Sequence, residues 1–285
     1  MALSVVLITF NEEANLRRTL ESVQPLTRDG GEIIVVDNGS TDRTVEIARE
    51  FGAKVFVEDW KGYAAQKNSA IAKATCDWVL SLDADEEVSP ELAREISECV
   101  TLKGSQSPNE WCKTAAPSRT DPNEKVRKSI TAPADGYWMP RKNFFLGRWI
   151  RQAGFYPDAK LRLFRRGKGR FVERPVHEAM EVDGATAALK SALLHYTYPT
   201  LTGYIETMNR YSSLGAEIAV GKGQGGFSFL NIVLRPLATF FSMYVLRLGF
   251  LDGREGLLLC LYHAGYVSWK YAKAWEMTRA RSEPK

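Results

Sequence analysis

Residues 78–85 read Trp78-Val79-Leu80-Ser81-Leu82-Asp83-Ala84-Asp85, an apolar run that stops on two carboxylates one residue apart. A run this short, closed by a turn, has the pattern of a strand buried on both faces. Alternate residues at a strand end can aim two carboxylates, Asp83 and Asp85, at one oxygen-loving cation. Mg²⁺ or Mn²⁺ accepts one or two carboxylates together with phosphate oxygens, and would neutralise charge building on a diphosphate leaving group. A solvated acidic turn capping the helix that begins near Ser89 explains the same residues without chemistry, so the flanking segments decide.

Toward the N-terminus the chain alternates strand and helix. Ser4 to Thr9 is β-rich, Ile33 to Val36 is a short apolar strand, and Lys54 to Val57 is a third. Between them, Ala14, Leu16, Leu20 and Val23 fall at helical spacing from Glu12 onward. Ser40-Thr41-Asp42 has the form of an N-cap for a helix that Gly52 ends. Ala64 to Ala74 predicts a helix before the 78–82 strand, and Ser89-Pro90-Glu91 starts another with Pro in the first turn. This alternation predicts an α/β fold with a mostly parallel sheet flanked by helices, whose ligands bind beyond the carboxyl ends of the strands.

Three further segments fall at those ends. Thr9-Phe10-Asn11-Glu12 follows the first strand, where backbone can meet a nucleobase and Phe10 offers a stacking face. Asp37-Asn38-Gly39-Ser40-Thr41-Asp42 follows the second. Asn38, Ser40 and Asp42 suit an Asx-turn and cap, while Asp37 precedes the turn and suits a contact to a base or ribose. Gln66-Lys67-Asn68 opens a helix, where Lys67 can meet phosphate or base.

In combination and order, T-F-N-E-E, V-V-D-N-G-S-T-D-R-T, Q-K-N and S-L-D-A-D-E resemble the family 2 glycosyltransferases, over about residues 3 to 100. The resemblance implies a GT-A (Rossmann-like) fold and a UDP-sugar donor bound with Mg²⁺ or Mn²⁺. It implies that Thr9, Glu12, Asp37 and Lys67 hold the nucleoside, that Asp83 contacts ribose or metal, and that Asp85 ligates the metal.

From about Gly136 to Glu276 the chain resembles a narrower group, bacterial lipopolysaccharide-core transferases of the heptose β-1,4-glucosyltransferase type. P-R-K-N-F-F-L-G-R-W-I, F-Y-P-D-A-K-L-R-L-F-R-R, P-V-H-E, L-H-Y-T-Y and G-F-L-D-G-R-E-G carry that likeness. It implies an inverting transfer of glucose from UDP-glucose to a lipid-linked saccharide such as inner-core heptose, with an acidic residue as base. Glu178 is the choice and Glu173 the alternative. A surface ion pair with Arg162, Arg165 or Arg174 is the competing use of either. His177 and His195 are each able to add a metal ligand, and His177 is kept as the candidate. Arg141, Arg148, Arg151 and Arg162 suit guanidinium contacts to acceptor phosphates. Tyr137, Trp138, Trp149, Phe155 and Tyr156 suit sugar stacking.

The expected organisation is a nucleotide-sugar half over 1–100, a polar, mobile insertion over 101–135, an acceptor and catalytic half over 136–225, and amphipathic helices over 226–285. Strands are expected at Lys160 to Phe164 and around Val176 to Val182, and an amphipathic helix from Leu201 to Ile218. From Arg235 onward eight Lys/Arg face four Asp/Glu on Trp- and Tyr-bearing helices. That suits an anionic membrane surface, with a homo-oligomer contact as the other use. The apolar start from Ala2 to Phe10 is too short for a signal segment, which predicts a site on the cytoplasmic, inner face of the bacterial membrane. A net charge of +4 with no basic run interleaved with aromatics excludes a nucleic-acid reading. Four cysteines without paired spacing argue against a zinc module or disulfide scaffold. Two other functions fit the same motifs: transfer to polyprenyl phosphate, and nucleotide-sugar binding without turnover.

Overall fold

The structure is a computed structural model that describes residues 2–101, 134–173 and 178–282. The chain forms two compact units, Met1–Arg141 with Asp158–His195, and Lys142–Pro157 with Tyr196–Lys285. Most of the expected 101–135 insertion, and His177, lie outside the described residues.

The first unit is built on β1 (Leu3–Thr9), β2 (Glu32–Asp37), β3 (Lys54–Val57) and β4 (Trp78–Leu82). They interleave with α1 (Leu16–Thr27), α2 (Thr44–Glu50) and α3 (Tyr63–Ala72). The sheet continues through β6 (Gly136–Met139), β9 (Lys160–Arg165) and β12 (Thr186–Ala188), in the order β12-β6-β9-β4-β1-β2-β3. Four of its pairings are parallel, while β9 runs antiparallel to both β4 and β6. The sheet is therefore mostly parallel and α/β, as expected, with one reversed strand. Val5, Leu7, Val35 and Leu80 lie in one core layer, and Val6, Ile34, Val36 and Val79 in another. Burial of both strand faces explains why these runs read as continuously apolar.

Since β2 and β4 flank β1 on opposite sides, chain order reverses at β1. Such a reversal opens a crevice outside the carboxyl ends of the strands. Past β4, β5 (Glu86–Val88) pairs antiparallel with residues Leu193–His195 of β13 (Leu193–Tyr198), setting His195 opposite Glu86. Ser89 Oγ then accepts from Leu92 N at 3.2 Å and caps α4 (Pro90–Thr101). β10 (Gly169–Val172) and β11 (Ala179–Val182) form a hairpin sheet of their own.

One boundary differs from the expectation. Helix α1 starts at Leu16 rather than Glu12. Asn11 takes a left-handed φ of 54°, and the next amides are claimed by the following loop: Glu12 N donates to Thr44 Oγ1 at 2.7 Å and Glu13 N to Asp42 Oδ2 at 3.1 Å.

In the second unit, β7 (Arg141–Phe145, entering from the first) and β8 (Arg148–Trp149) make a hairpin whose Leu146-Gly147 turn has φ of 51° and 81°. Helix α5 (Leu201–Gly221) packs on α7 (Gly253–Ser282), with Phe145, Tyr204 and Leu259 among the buried residues. Between them run α6 (Arg235–Phe241), π turns at Leu230–Leu234 and Ser242–Leu246, and a 3-10 turn at Gly249–Asp252. Pro236 does not break this segment, because it lies in the first turn of α6, where a missing N–H costs little. The G-F-L-D-G-R-E-G stretch has a packing role here. A side chain at Gly256 would meet Gly249 O at 2.2 Å. Asp252 is buried and accepts from Arg151 N at 3.1 Å and Gln152 N at 2.8 Å.

Candidate active site

The carboxyl ends of β1, β2 and β4 bring the sequence-predicted residues together. Thr9 lies opposite Asp37 in the parallel register, and its Oγ1 donates to Asp37 Oδ2 at 2.8 Å. Asp37 is fully buried and also accepts from Ser40 N at 2.7 Å and Ser40 Oγ at 2.6 Å. Asp37 thus closes the turn itself, a role that sequence reading gave to its neighbours. A carboxylate has about four acceptor sites, and the loop itself takes three of those of Asp37.

The two loops are laced together. Asn11 Oδ1 accepts from Thr41 N at 2.9 Å, and Asn11 N donates to Ser40 Oγ at 2.8 Å. Phe10 is presented beside this frame, 55% exposed, as a stacking face requires. A cavity of about 400 Å³ opens at the ends of β2 and β3, lined by Asn38, Gly39, Val57, Glu58, Asp59 and Lys61. It adjoins the Asp37 loop rather than the Asp83–Asp85 turn.

The acidic turn is held by a buried ion network. Lys67, buried in α3, places Nζ 2.7 Å from Asp83 Oδ1 and 2.7 Å from Glu178 Oε1, and 5.0 Å from the centre of the Phe171 ring. Arg162 of β9 contacts Asp83 Oδ2 and reaches Glu86 Oε1 at 2.7 Å. Glu86, with no exposed surface, also accepts from Arg141 Nη1 at 3.0 Å and from Asp83 N at 3.0 Å. Arg141 continues to Asp158 at 2.5 Å. Burial pushes the Asp83 carboxyl up, but Arg162, Lys67 and Arg141 outweigh it and hold it well below the usual carboxylate range. Glu178 follows the same balance: burial raises it, and Lys67 outweighs the burial and lowers it.

Asp85 faces a different way. Its Oδ2 lies 3.2 Å from His195 Nε2. Glu12 belongs to the same acidic neighbourhood: burial raises its carboxyl, the Asn15 hydrogen bond lowers it, and Asp85, Asp42 and Asp83 raise it further.

Some expected uses are revised. Arg141 and Arg162 are spent on Glu86, Asp158 and Asp83, so they are internal clamps rather than free contacts for acceptor phosphate. Arg148 and Arg151 remain exposed, the first 3.8 Å from Glu255 and the second stacked 4.4 Å over Trp149. Tyr137 is a core residue against Trp78, with ring centres 5.8 Å apart. Glu178 is paired with Lys67, and Glu173 is exposed. Glu86 was not anticipated at all. Its only sequence signal is its position after Asp83-Ala84-Asp85, and its partners come from 55 and 76 residues away.

Comparison with known proteins identifies the family. The family model described as "Glycosyl transferase family 2" matches residues 4–168, more than half of the chain. The lipopolysaccharide core biosynthesis glycosyltransferase LpsC of Rhizobium meliloti is 26% identical over 100% of this chain and 96% of its own. An uncharacterized glycosyltransferase of Rickettsia typhi is 52% identical over 94 residues, which are 33% of this chain and 31% of that protein, so the chain spans about a third of that relative. Among solved structures, S. aureus TarS 1-349 in complex with UDP-GlcNAc aligns over 100% of this chain and 93% of its own, at 14% identity and a TM-score of 0.45. With the strand-end motifs, the mixed α/β sheet and the family match over residues 4–168 all in agreement, the chain belongs to glycosyl transferase family 2.

Proposed function

We propose that this transferase moves glucose from UDP-glucose, with inversion, onto a hydroxyl of a lipid-linked saccharide, with inner-core heptose of lipopolysaccharide as the acceptor. It would work at the inner face of the bacterial cytoplasmic membrane, which its C-terminal helices would contact. The role of LpsC in lipopolysaccharide core biosynthesis supports the acceptor class. The observation that carries the mechanism is Lys67, whose Nζ bridges Asp83 and Glu178 at 2.7 Å each. It couples the acidic turn on the leaving-group side to the carboxylate on the acceptor side.

Asp85 would hold Mg²⁺ or Mn²⁺ together with donor diphosphate oxygens, and Asp83, whose two oxygens are engaged by Lys67 and Arg162, would join it only by giving up one of those partners. Among the described residues no group of three or more His, Cys, Asp or Glu side chains gathers around one point. This fits a hard cation that takes one or two carboxylates and completes its shell from substrate and water. When bound, the cation supplies neutralisation of the leaving diphosphate. His195, beside Asp85, orients that carboxylate, and His177 remains a candidate ligand.

Thr9, Asp37, Glu12 and Lys67 would fix the nucleoside, with Phe10 stacking against it. Glu178 is ionised at neutral pH because Lys67 opposes the effect of burial, so it is ready to accept a proton. The acceptor oxygen bonds to the anomeric carbon as the bond to diphosphate breaks, and its proton passes to Glu178. Transfer assays with UDP-glucose and a heptose-terminated lipid acceptor test the reading, with Asp85→Ala and Glu178→Gln as the variants. Full activity of Asp85→Ala would remove the metal role.

A further inference from the structure

The segment between α5 and α7 leaves one face bare. Of the twenty large hydrophobic side chains exposed among the described residues, fourteen fall between Phe227 and Leu261. From Phe227 to Leu246 the only charged residue is Arg235. Leu230, Leu234, Leu237, Phe241, Val245 and Leu248 recur at three- and four-residue spacing and are all exposed, Leu237 to 61%. Such spacing puts Leu230 to Val245 on one stripe, about 23 Å long at 1.5 Å per residue, with the left-handed Leu248 just beyond the helix end.

The opposite face is already occupied. Ile232 packs with Ala216, Ala219 and Ala274, and Met243 packs with Ala153 and Cys260. Ser268 Oγ donates to Ile232 O at 2.8 Å. The bare stripe is thus a second apolar face on a helix whose first face is filled. Contiguous apolar surface of this extent marks a lipid or protein contact.

Charge selects between the two. Exposed Lys222 precedes the stripe, and exposed Arg247 and Arg254 follow it. No Asp or Glu occurs from Ile218 to Leu251, and Asp252 is buried on the amides of Arg151 and Gln152. An apolar stripe with cationic ends and no exposed acid fits an anionic lipid surface.

The bend sets the mode. Among the described residues no single helix is long and apolar enough to cross a membrane; the stretches Leu230–Leu246 and Gly249–Ala280 are so only jointly, bent by 73°. Arg247 and Arg254 flank the bend, where guanidinium groups belong at headgroup depth. We infer that residues 227–251 lie in the plane of one leaflet of anionic phospholipid, with the Leu230-to-Val245 stripe at the acyl boundary and Lys222, Arg247 and Arg254 among the headgroups. This rests on the membrane part of the proposed function and adds depth, orientation and lipid class.

Flotation of the full chain with vesicles tests it. Phosphatidylglycerol-containing vesicles should capture the protein, pure phosphatidylcholine should capture far less, and 0.5 M NaCl should weaken capture, as expected for roughly 1 kcal/mol per basic residue near an anionic surface. The triple variant Leu234→Glu, Leu237→Glu, Phe241→Glu should lose at least about tenfold in vesicle affinity, because the apolar face supplies the insertion energy. The double variant Lys222→Glu, Arg254→Glu, which leaves the packed face untouched, should lose the lipid-charge preference. A fluorophore on Leu237→Cys should be quenched by headgroup-level nitroxides more than by mid-chain ones. Absence of vesicle binding, or deeper quenching at mid-chain, overturns the inference. So does a concentration-dependent dimer that the triple variant abolishes, since a second copy would then cover the stripe. UDP-glucose binding and transfer to a delipidated, soluble acceptor should be unchanged in these variants. Loss of those activities in the wild type would instead sink the transferase reading.

Discussion

Lys67 Nζ lies 2.7 Å from Glu178 Oε1, across 111 residues of sequence, and the same nitrogen holds Asp83 Oδ1 at 2.7 Å. One buried ammonium therefore favours the ionised form of both carboxylates, together with Arg162 and Arg141 at Asp83.

Lys67→Met tests that coupling through pH. With the ammonium present, the Glu178 carboxyl lies below its ordinary 4.5. Without it, burial and the Asp83 charge, opposed only by a backbone hydrogen bond, raise the carboxyl. The acid limb of kcat/KM should move to higher pH in the variant, because Glu178 must be ionised to accept a proton. An unmoved acid limb would separate Glu178 from the base role.

Glu86→Ala tests the clamp. It leaves the buried Arg162 and Arg141 without their shared carboxylate. Removing one partner of a buried pair costs about 3–5 kcal/mol. The remaining contacts of both arginines to Asp83 and Asp158 argue for the lower part of that range. Urea unfolding should show a lower midpoint with the slope unchanged.

The α/β alternation and the strand ends that carry Thr9, Asp37 and Asp83 were legible because each rests on local signals: apolar runs, caps and turn residues. The Ser89 cap and the Pro90 helix start are examples. The reversed β9 was not legible, since Lys160 to Phe164 looks the same whichever way it pairs. Nor was the Glu86–Arg141–Arg162 network, because an arginine's partner is set by tertiary approach and not by its neighbours in sequence. The same reason misassigned Arg141 and Arg162 to the acceptor.

Asp252→Ala tests the packing role of the Gly249-to-Gly256 stretch. It deletes the acceptor for the Arg151 and Gln152 amides. Hydrogen bonds to charged groups contribute about 1.5–3 kcal/mol, so thermal stability should fall by a comparable amount. Gly256→Ala should also destabilise, through its close approach to Gly249 O. Neither residue belongs to the proposed catalytic machinery.

Acid stability should depend on Glu32. Partial burial raises its carboxyl, but hydrogen bonds from Lys54, Ser4 and Thr75 outweigh that and bring it to about 2. A carboxyl depressed in the folded state adds stability that is present above its unfolded value and lost as pH falls through the folded one. For Glu32 that window runs from its ordinary 4.5 down to about 2. Chemical denaturation from pH 6 down to about 2 should show a smaller loss in Glu32→Gln than in the wild type, as linkage requires.

The most direct test is the steady-state rate of glucose transfer from UDP-glucose to a heptose-terminated lipid acceptor by Glu178→Gln. Loss of a positioned base predicts a fall of about 10²–10⁴-fold in kcat, with UDP-glucose affinity, measured by calorimetry, little changed. A near-normal kcat would contradict the account, and would favour an acceptor, such as polyprenyl phosphate, that is already an anion.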